Sequence, residues 1–352
     1  MSGKEIVVSF VIPSYNRARL TRRIVDNILA YPGEDIEVVV ADNASPDDTV
    51  QLLREVRDER LVLIENEKNI GGTGNMTESL KYGKGKYLFV ALSRDGIIAE
   101  RIPALIRFLQ EKEHSVVYCG NDSETKQENR TWRRGKQALK KFGYATLHPT
   151  GMIFERERLM KIIGGITPEE AKEKYLYFPH DFWMAEMALN GDAETYGERI
   201  RCRVEDEYYR NSVSAFVDPA EDLWFFPKGR ILQLEKYMDH LASLPRTDRE
   251  KGKVLEWIYG REICFCTIVY RNMRRDEETC AHYRTTSREV PVKEMLQAAV
   301  SLRDSVKEIS GKHRFRLSPV FRARMAAVRA ETLGYIAGAR MVGMIRKVLS
   351  GV

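Results

Sequence analysis

Three short polar clusters follow apolar stretches of this 352-residue chain, and each contains side chains that can do chemistry. In the third cluster, Ser93, Arg94 and Asp95 come directly after the apolar residues 87–92. A carboxylate there can hold a divalent cation against phosphate oxygens, and the neighbouring guanidinium can itself neutralise phosphate. A salt-bridged turn without a ligand is the third interpretation, and the residues alone leave all three open.

The first two clusters, residues 13–17 and 42–45, contain groups that suit a nucleotide. Pro13 and Tyr15 lie in a turn at a predicted strand end, where the Tyr15 ring can pack on a base. Asp42 can accept a hydrogen bond from a uracil imide or a ribose hydroxyl. Its alternative role is to cap the next helix. Residues 45–48 predict that this helix begins with Ser45 as the cap and Pro46 at the first position.

Glycines open the helix that follows the third predicted strand. Asn69, Gly71 and Gly72 precede its helical spacing. Glycine lets the backbone approach a ligand closely, and a helix N-terminus attracts anions, so this turn suits a sugar nucleotide. A plain glycine turn is the alternative.

Apolar, β-branched stretches alternate with helical spacing through the first third of the chain. Repeated βα units predict an α/β fold with a doubly wound, mostly parallel sheet. In such sheets ligands bind beyond the carboxyl ends of the strands, where the three clusters lie. From about residue 218 the spacing is helical, so we predict two domains, residues 1–217 and 218–352.

Three successive blocks make the chain resemble the family-2 glycosyltransferases, nucleotide-sugar enzymes with a Rossmann-like GT-A fold. The blocks are "PSYNR", "ADNASPDDT" and "NIGGTGN" followed by "GKY". The resemblance covers residues 6–100 closely and residues 145–210 loosely, and the last 130 residues match no pattern. The nucleotide-binding residues that it implies are Pro13, Tyr15, Asn16, Arg17, Asp42, Asn69, Gly71, Gly72, Asn75 and Arg94.

In this family a D-x-D motif at the position of Ser93 to Asp95 holds Mn²⁺ or Mg²⁺ against the donor diphosphate. Here Ser93 replaces the first aspartate. The resemblance therefore implies that Asp95 is the direct ligand, with Ser93 helping through its hydroxyl or a water. Two alternatives stay open. Arg94 takes over part of the neutralisation of the diphosphate charge, or the site is degenerate and inactive.

The stretch "YLYFPHDFWMAEMAL" contains the family's second signature. The resemblance implies that Asp181 is the catalytic base of an inverting displacement, with His180 orienting it or contacting the acceptor. Asp181 can also cap the helix that follows. Trp183 is expected in the cleft wall or stacked on a sugar.

Two further blocks complete the predicted site. In "LHPTGMIF", His148, Thr150 and Gly151 are expected beside the donor sugar or acceptor, and a structural histidine is the alternative. In "YYRNSVS", Arg210 matches a family position that contacts the diphosphate. Asn211 stands where the family often has a histidine, which argues against a histidine metal ligand.

Positive charge concentrates in two places. Residues 130–141 contain six Lys or Arg and no acid, and residues 312–352 contain nine against one acid, Glu331. The first segment is a solvated loop, a flap over an anionic ligand or a lipid contact. The amphipathic tail, residues 321–349, is a core helix, an attachment to an anionic membrane surface, or an oligomer contact.

We therefore expect an inverting glycosyltransferase in surface polysaccharide synthesis. It is expected to move a sugar from a nucleotide diphosphate donor, here a UDP-sugar, to a glycan or lipid-linked acceptor. The alternative is a non-catalytic nucleotide-sugar or glycan-binding protein of a membrane assembly. A nucleotidyltransferase would need a G-x-x-T-R-L loop where "PSYNRARL" stands, and the basic residues lack a nucleic-acid-binding module. The five cysteines lack zinc spacing, no apolar run spans a bilayer, and we expect a cytoplasmic protein, peripheral on the inner membrane face if the tail binds lipid.

Overall fold

Residues 5–123, 125–203 and 223–350 are described by the computed structural model of the chain. The chain divides into two compact units, Met1–Tyr209 and Arg210–Val352. The predicted domain boundary, between residues 217 and 218, lies outside the described residues and stays a prediction.

The first unit is built on an eight-stranded sheet with the order β3-β2-β1-β4-β8-β6-β9-β7. A separate two-stranded sheet joins β5 and β10 in antiparallel fashion. The strands are β1 (Val8–Ser14), β2 (Ile36–Asp42), β3 (Leu61–Glu65), β4 (Tyr87–Val90), β5 (Asp95–Ile97), β6 (Val116–Tyr118), β7 (Arg130–Trp132), β8 (Met152–Glu155), β9 (Ala193–Thr195) and β10 (Arg201–Arg203).

Parallel pairing brings the polar strand ends to one edge. β1 pairs in parallel with β2 and β4, and β2 pairs in parallel with β3. The register places Ser14 opposite Asp42, and Asp42 opposite Glu65. The clusters that follow these strands therefore lie next to one another, as the alternating pattern predicts.

Helices cover this sheet because their apolar residues recur on one face. In the first of them, Leu20, Ile24 and Ile28 recur every fourth position and are buried against the strands. The helices of the first unit are α1 (Ala18–Leu29), α2 (Thr49–Arg54), α3 (Gly71–Ser79), α4 (Ile102–Glu111), α5 (Lys136–Phe142), α6 (Arg156–Ile163), α7 (Pro168–Tyr175) and α8 (Pro179–Asn190).

The predicted α/β class is confirmed: a large, mostly parallel sheet is followed by a helical part. Two local predictions are wrong. Helix α2 begins at Thr49 rather than at Pro46, because the Asp47 carboxylate accepts hydrogen bonds from Thr49 N and from Ala18 N. Residues 130–141 are not a loop but form β7 and most of α5, whose Phe142 is buried.

The described part of the second unit is helical. Thr247 and Glu250 form a capping box at the start of its second helix, which explains why that helix begins there. The helices are α9 (Pro227–Ser243), α10 (Asp248–Cys264), α11 (Tyr270–Arg275), α12 (Glu277–His282), α13 (Val292–Lys312), α14 (Pro319–Ala326) and α15 (Val328–Ser350), with a π-helical turn at Phe265–Val269.

The predicted single amphipathic tail helix is wrong in one respect, because a turn at Ala327 separates α14 from α15. Within the described ranges, no helix is both long and apolar enough to cross a bilayer. Whether the tail binds a membrane or another subunit stays a prediction.

A buried ion pair joins two helices of the second unit. Arg230 of α9 donates to both carboxylate oxygens of Glu262 of α10, and both side chains are almost fully buried. The Arg230 guanidinium also lies 4.3 Å from the centre of the Phe265 ring. Removing one partner of such a pair leaves an uncompensated buried charge.

We expect Glu262→Gln to lower the free energy of unfolding by about 3–5 kcal/mol, because Arg230 then lacks its counter-charge. Urea unfolding followed by circular dichroism measures this change. Asp304→Asn is the matched control, since Asp304 pairs with Arg303 in an exposed ion pair worth about 0–1 kcal/mol. Equal effects of the two substitutions would contradict the assignment.

Candidate active site

Asparagine side chains tie together the ends of the first three strands. Asn75 of α3 is buried, and its Nδ2 donates to Ala41 O at 3.1 Å and to Ser14 O at 3.4 Å. Its Oδ1 accepts from Asn66 Nδ2 at 3.0 Å. The carboxamide of Asn75 therefore holds the edge of the sheet together and is already engaged before any ligand binds.

Asn43 connects this network to the glycine turn. Its Oδ1 accepts from Ile70 N at 2.9 Å, and its Nδ2 donates to Asn69 Oδ1 at 2.9 Å. Asn69 Oδ1 also accepts from Gly71 N, and Gly71 has a φ of +79°. Side chains that follow β2 and β3 thus fix the start of α3. The sequence analysis assigns no role to Asn43 or Asn66, so this network is revealed only by the structure.

Asp42 lies at the last position of β2 and is 1% exposed. Its Oδ2 accepts from Ser45 N at 2.8 Å, and its Oδ1 accepts from Ser45 Oγ at 2.5 Å. Asn16 N in turn donates to Ser45 Oγ at 2.8 Å, which joins the ends of β1 and β2. The carboxylate is held by this turn, and each oxygen keeps a second lone pair for a ligand.

The remaining predicted nucleotide-binding residues lie at the same edge. Pro13, Tyr15 and Arg17 are half-buried, and Gly72 is exposed at the start of α3. Their positions agree with one binding surface, and their contacts with a nucleotide stay predictions.

Asp95 begins β5, directly after the end of β4, and is 7% exposed. Its Oδ2 accepts a short hydrogen bond from the Thr150 hydroxyl. Thr150 Oγ1 also accepts from Leu92 N at 3.0 Å. Thr150 therefore fixes both the turn that carries Asp95 and the orientation of its carboxylate. Ser93, in the same turn, is buried.

Cationic and imidazole groups surround this carboxylate. His148 Nε2 lies 3.2 Å from Arg94 Nη2 and 3.7 Å from Asp95 Oδ2. Burial lowers the pKa of His148 to about 4, against the opposing effect of Asp95, so the ring is neutral at pH 7 and accepts from Arg94 through Nε2. Arg201 donates to Thr150 O at 3.1 Å and to both oxygens of Asp122.

The backbone just before β8 requires a glycine at position 151, where it bonds to Val90 and Cys119. Its N–H donates to Val90 O of β4, and its carbonyl accepts from Cys119 N. Its φ is +98°, and a Cβ atom there would lie 2.6 Å from the Cys119 carbonyl oxygen. Gly151 is therefore a backbone requirement next to Thr150, which accounts for its presence without a sugar contact.

Asp181 lies in the first turn of α8 and is 1% exposed. Thr146 N donates to Asp181 Oδ1 at 2.8 Å, and Thr146 Oγ1 donates to Oδ2 at 3.1 Å. Thr146 and Tyr144 have φ values of +49° and +52°, a strained conformation for such side chains that costs about 1–3 kcal/mol each. The strained backbone at Tyr144 and Thr146 thus holds the Thr146 hydroxyl in a hydrogen bond to the Asp181 carboxylate.

The neighbours of Asp181 are more deeply buried than expected. Trp183 is 0% exposed and packs edge-on against Phe154 and Tyr175, so the expectation that it borders a sugar is corrected: this side chain belongs to the core. His180 Nε2 lies 3.9 Å from Asp181 Oδ1. Burial lowers the pKa of His180, although Asp181 opposes the shift. Its ring is therefore neutral and lies beside the carboxylate.

Several residues of the site have no signal in the sequence. Thr146 and Arg201 reach Asp181 and Thr150 only through long-range folding, and neither stands in a motif. Arg210, predicted at the diphosphate, lies outside the described residues.

The fold of the chain is similar to that of solved structures. S. aureus TarS, residues 1–349 in complex with UDP, superposes with a TM-score of 0.59 at 16% sequence identity. The match covers 93% of this chain and 88% of that chain. At this identity the likeness concerns the fold.

Residues 9–168 match the family model described as glycosyl transferase family 2. A UDP-Glc:alpha-D-GlcNAc-diphosphoundecaprenol beta-1,3-glucosyltransferase of Escherichia coli is 29% identical over 104 residues, which are 30% of this chain. A succinoglycan biosynthesis protein of Rhizobium meliloti is 32% identical over 28% of this chain, and a poly(ribitol-phosphate) beta-glucosyltransferase of Bacillus spizizenii is 30% identical over 31%. The matches span 41, 28 and 18% of these three relatives.

We expect Gly151→Ala to lower the free energy of unfolding by at least about 1–3 kcal/mol, because the backbone conformation and the Cys119 carbonyl both exclude a Cβ atom. Chemical denaturation measures the loss. Gly165→Ala is the control, since a Cβ atom at Gly165 meets nothing within 4 Å. A Gly151→Ala protein as stable as the control would contradict the packing described.

Proposed function

We propose that the protein is an inverting glycosyltransferase that uses a UDP-sugar donor and a glycan or lipid-linked acceptor in cell-surface polysaccharide synthesis. One observation carries the proposal: the segment between α5 and β8 contacts two oriented carboxylates. Thr146 bonds to Asp181, and Thr150 bonds to Asp95. Four residues span at most about 14 Å, so a donor group at Asp95 and an acceptor at Asp181 can lie within one cleft.

The donor side is formed by the three strand ends. Asp42 is proposed to accept from the base or ribose, and the start of α3 lies at the same edge because Asn43 bonds to Ile70 N. Arg94 supplies a guanidinium beside Asp95, which suits the diphosphate. These groups support a nucleotide position along the carboxyl edge of β1, β2 and β4.

A divalent cation, Mn²⁺ or Mg²⁺, is the expected partner of the diphosphate. Within the described ranges, no three His, Cys, Asp or Glu side chains converge on a metal position. Asp95 nevertheless fits as a single protein ligand, because Thr150 orients Oδ2 while Oδ1 accepts no hydrogen bond from a described residue. Diphosphate oxygens and waters would complete the coordination. The cation would neutralise charge on the leaving diphosphate.

Asp181 is the proposed base. The acceptor hydroxyl attacks the anomeric carbon as the bond to the diphosphate oxygen breaks, and the hydroxyl proton passes to the Asp181 carboxylate. The Thr146 hydroxyl now donates to Asp181 Oδ2, the position that an acceptor hydroxyl would take. Thr146 N can keep the carboxylate oriented through Oδ1 while the acceptor replaces the Thr146 hydroxyl on Oδ2.

The names of the relatives support this chemistry. Two of them name a beta-glucosyl transfer, one to a diphosphoundecaprenol-linked sugar and one to poly(ribitol-phosphate). The rival proposal, a non-catalytic sugar-nucleotide or glycan-binding protein, is favoured by the deep burial of Asp181. Turnover of a UDP-sugar separates the two.

We expect Asp181→Asn to lower kcat by about 10²–10⁴-fold, because the amide cannot remove the acceptor proton. UDP binding should stay unchanged, since Asp181 lies on the acceptor side. The measurement is UDP release from UDP-glucose and UDP-GlcNAc, with UDP affinity determined by calorimetry.

Asp192→Asn is the matched control, because the exposed Asp192 carboxylate accepts only a backbone N–H of Arg134 among the described contacts. Full turnover by Asp181→Asn would exclude it as the base. Absence of turnover by the unaltered protein with every UDP-sugar would favour the binding-protein alternative.

A further inference from the structure

The edge of the large sheet carries a basic face that the proposed reaction does not use. We define the basic edge as residues 130–141, which comprise β7, the following turn and most of α5. β7 is the last strand in the sheet order and, among the described strands, pairs only with β9. The cations of the basic edge are Arg130, Arg133, Arg134, Lys136, Lys140 and Lys141, and all six are exposed.

The basic edge is rigidly fixed to the first unit. Ala138, Leu139 and Phe142 bury one side of α5, so its lysines point away from the core. Gly135 N donates to Ala188 O of α8 at 2.7 Å. The charges are therefore held in a fixed array and not on a flexible loop.

An aromatic ring organises two of the cations. The Arg130 guanidinium lies 4.1 Å from the centre of the Trp132 ring, and Lys141 Nζ lies 5.4 Å from it. Trp132 itself packs edge-on against Phe142. Because both cations lie over the ring, Trp132 is not open to stack on a nucleic-acid base.

Three of the other cations lack an ion-pair partner among the described residues. Within the part of the chain that the structure describes, Arg133, Arg134 and Lys136 form no ion pair with a carboxylate. Cations on an edge strand also prevent pairing with another sheet, but that role concerns β7 itself, and these three lie beyond it. Six like charges in one short segment repel one another, so the array gains from an anionic partner.

The shape of the array indicates an extended partner. Two cavities of the described residues, of about 500 and 470 Å³, are lined by residues outside the basic edge. The cations are spread over a strand, a turn and a helix about 10 Å long, and do not converge on one point. A flat surface of many phosphates fits this spacing, whereas a single small anion does not.

We propose that the basic edge is a docking surface for a bilayer rich in anionic phospholipid. The guanidinium and ammonium groups bind headgroup phosphates, and Trp132 lies among them at the depth of the interface. The chain continues from α5 directly into the segment that contacts Asp181 through Thr146. A membrane-bound acceptor would therefore be held near the acceptor side of the cleft, although the docking itself does not depend on the proposed reaction.

The test is co-sedimentation of the full chain with vesicles of phosphatidylcholine containing about one-third phosphatidylglycerol, compared with pure phosphatidylcholine. The triple variant Arg133→Gln, Arg134→Gln, Lys136→Gln should bind the anionic vesicles about 100-fold more weakly, since each cation near the surface contributes about fivefold. Salt should weaken the binding of the unaltered protein.

Two control variants make the outcome specific. Arg57→Gln, Lys68→Gln, Lys172→Gln removes the same charge from exposed positions elsewhere in the first unit and should bind like the unaltered protein. Arg322→Gln, Arg329→Gln removes exposed charge from α14 and α15 and tests the tail. Circular dichroism confirms the fold of each variant, which exposed substitutions should preserve.

The proposal is overturned by any of four results. The first two are that the unaltered protein shows no preference for anionic vesicles, or that the basic-edge variant binds them as well as the unaltered protein does. The other two are that both charge-matched triple variants lose binding equally, or that only the tail variant loses binding. Tighter binding to soluble polyphosphate than to vesicles of equal phosphate content would identify a polymer as the partner and would also overturn the commitment to a membrane.

Discussion

The hydrogen bonds of Thr150 hold the candidate site together. Its hydroxyl accepts from Leu92 N and donates to Asp95, and its carbonyl accepts from Arg201. A buried carboxylate needs hydrogen bonds to stay charged, and a metal or diphosphate site needs its carboxylate oriented. The fully buried Thr150 meets both needs. Gly151 beside it lets the start of β8 come close enough to bond to Val90 and Cys119.

The parallel sheet explains why these groups meet. Strand ends that lie side by side would leave backbone groups unsatisfied. Here the side chains of Ser45, Asn43 and Asn75 bond to the backbone groups Asn16 N, Ile70 N and Ala41 O, respectively. The same edge therefore contains many oriented polar groups, of which Asp42, Asn43 and Asn75 are buried. Electrostatic interactions with a diphosphate are strong in such surroundings. The cost of the arrangement is local strain, seen at Tyr144 and Thr146.

Much of the fold could be predicted from the sequence because its signals are local. The alternation of apolar strands and helical spacing identifies the α/β unit, and polar clusters after strands identify Asp42 and Asp95. The predicted start of α2, with Ser45 as the cap and Pro46 as the first residue, is wrong. Ser45 bonds instead to Asp42 and Asn16, and Asp47 accepts from Ala18 N of α1. The burial of Trp183 and the strand and helix within residues 130–141 also depend on tertiary packing, which short sequence patterns do not encode. The contact of Thr146 with Asp181 joins residues 35 apart and had no motif to reveal it.

The central claim is that Thr150 orients Asp95 for a nucleoside diphosphate. The most direct measurement is calorimetric UDP affinity of Thr150→Val and Thr150→Ser, with and without Mn²⁺. The valine keeps the shape but loses the hydroxyl, so UDP affinity with Mn²⁺ should fall at least about tenfold, whereas the serine should stay near the unaltered protein. Folded Thr150→Val protein that binds UDP as tightly as the unaltered chain, or an unaltered chain that binds no UDP, would contradict the account.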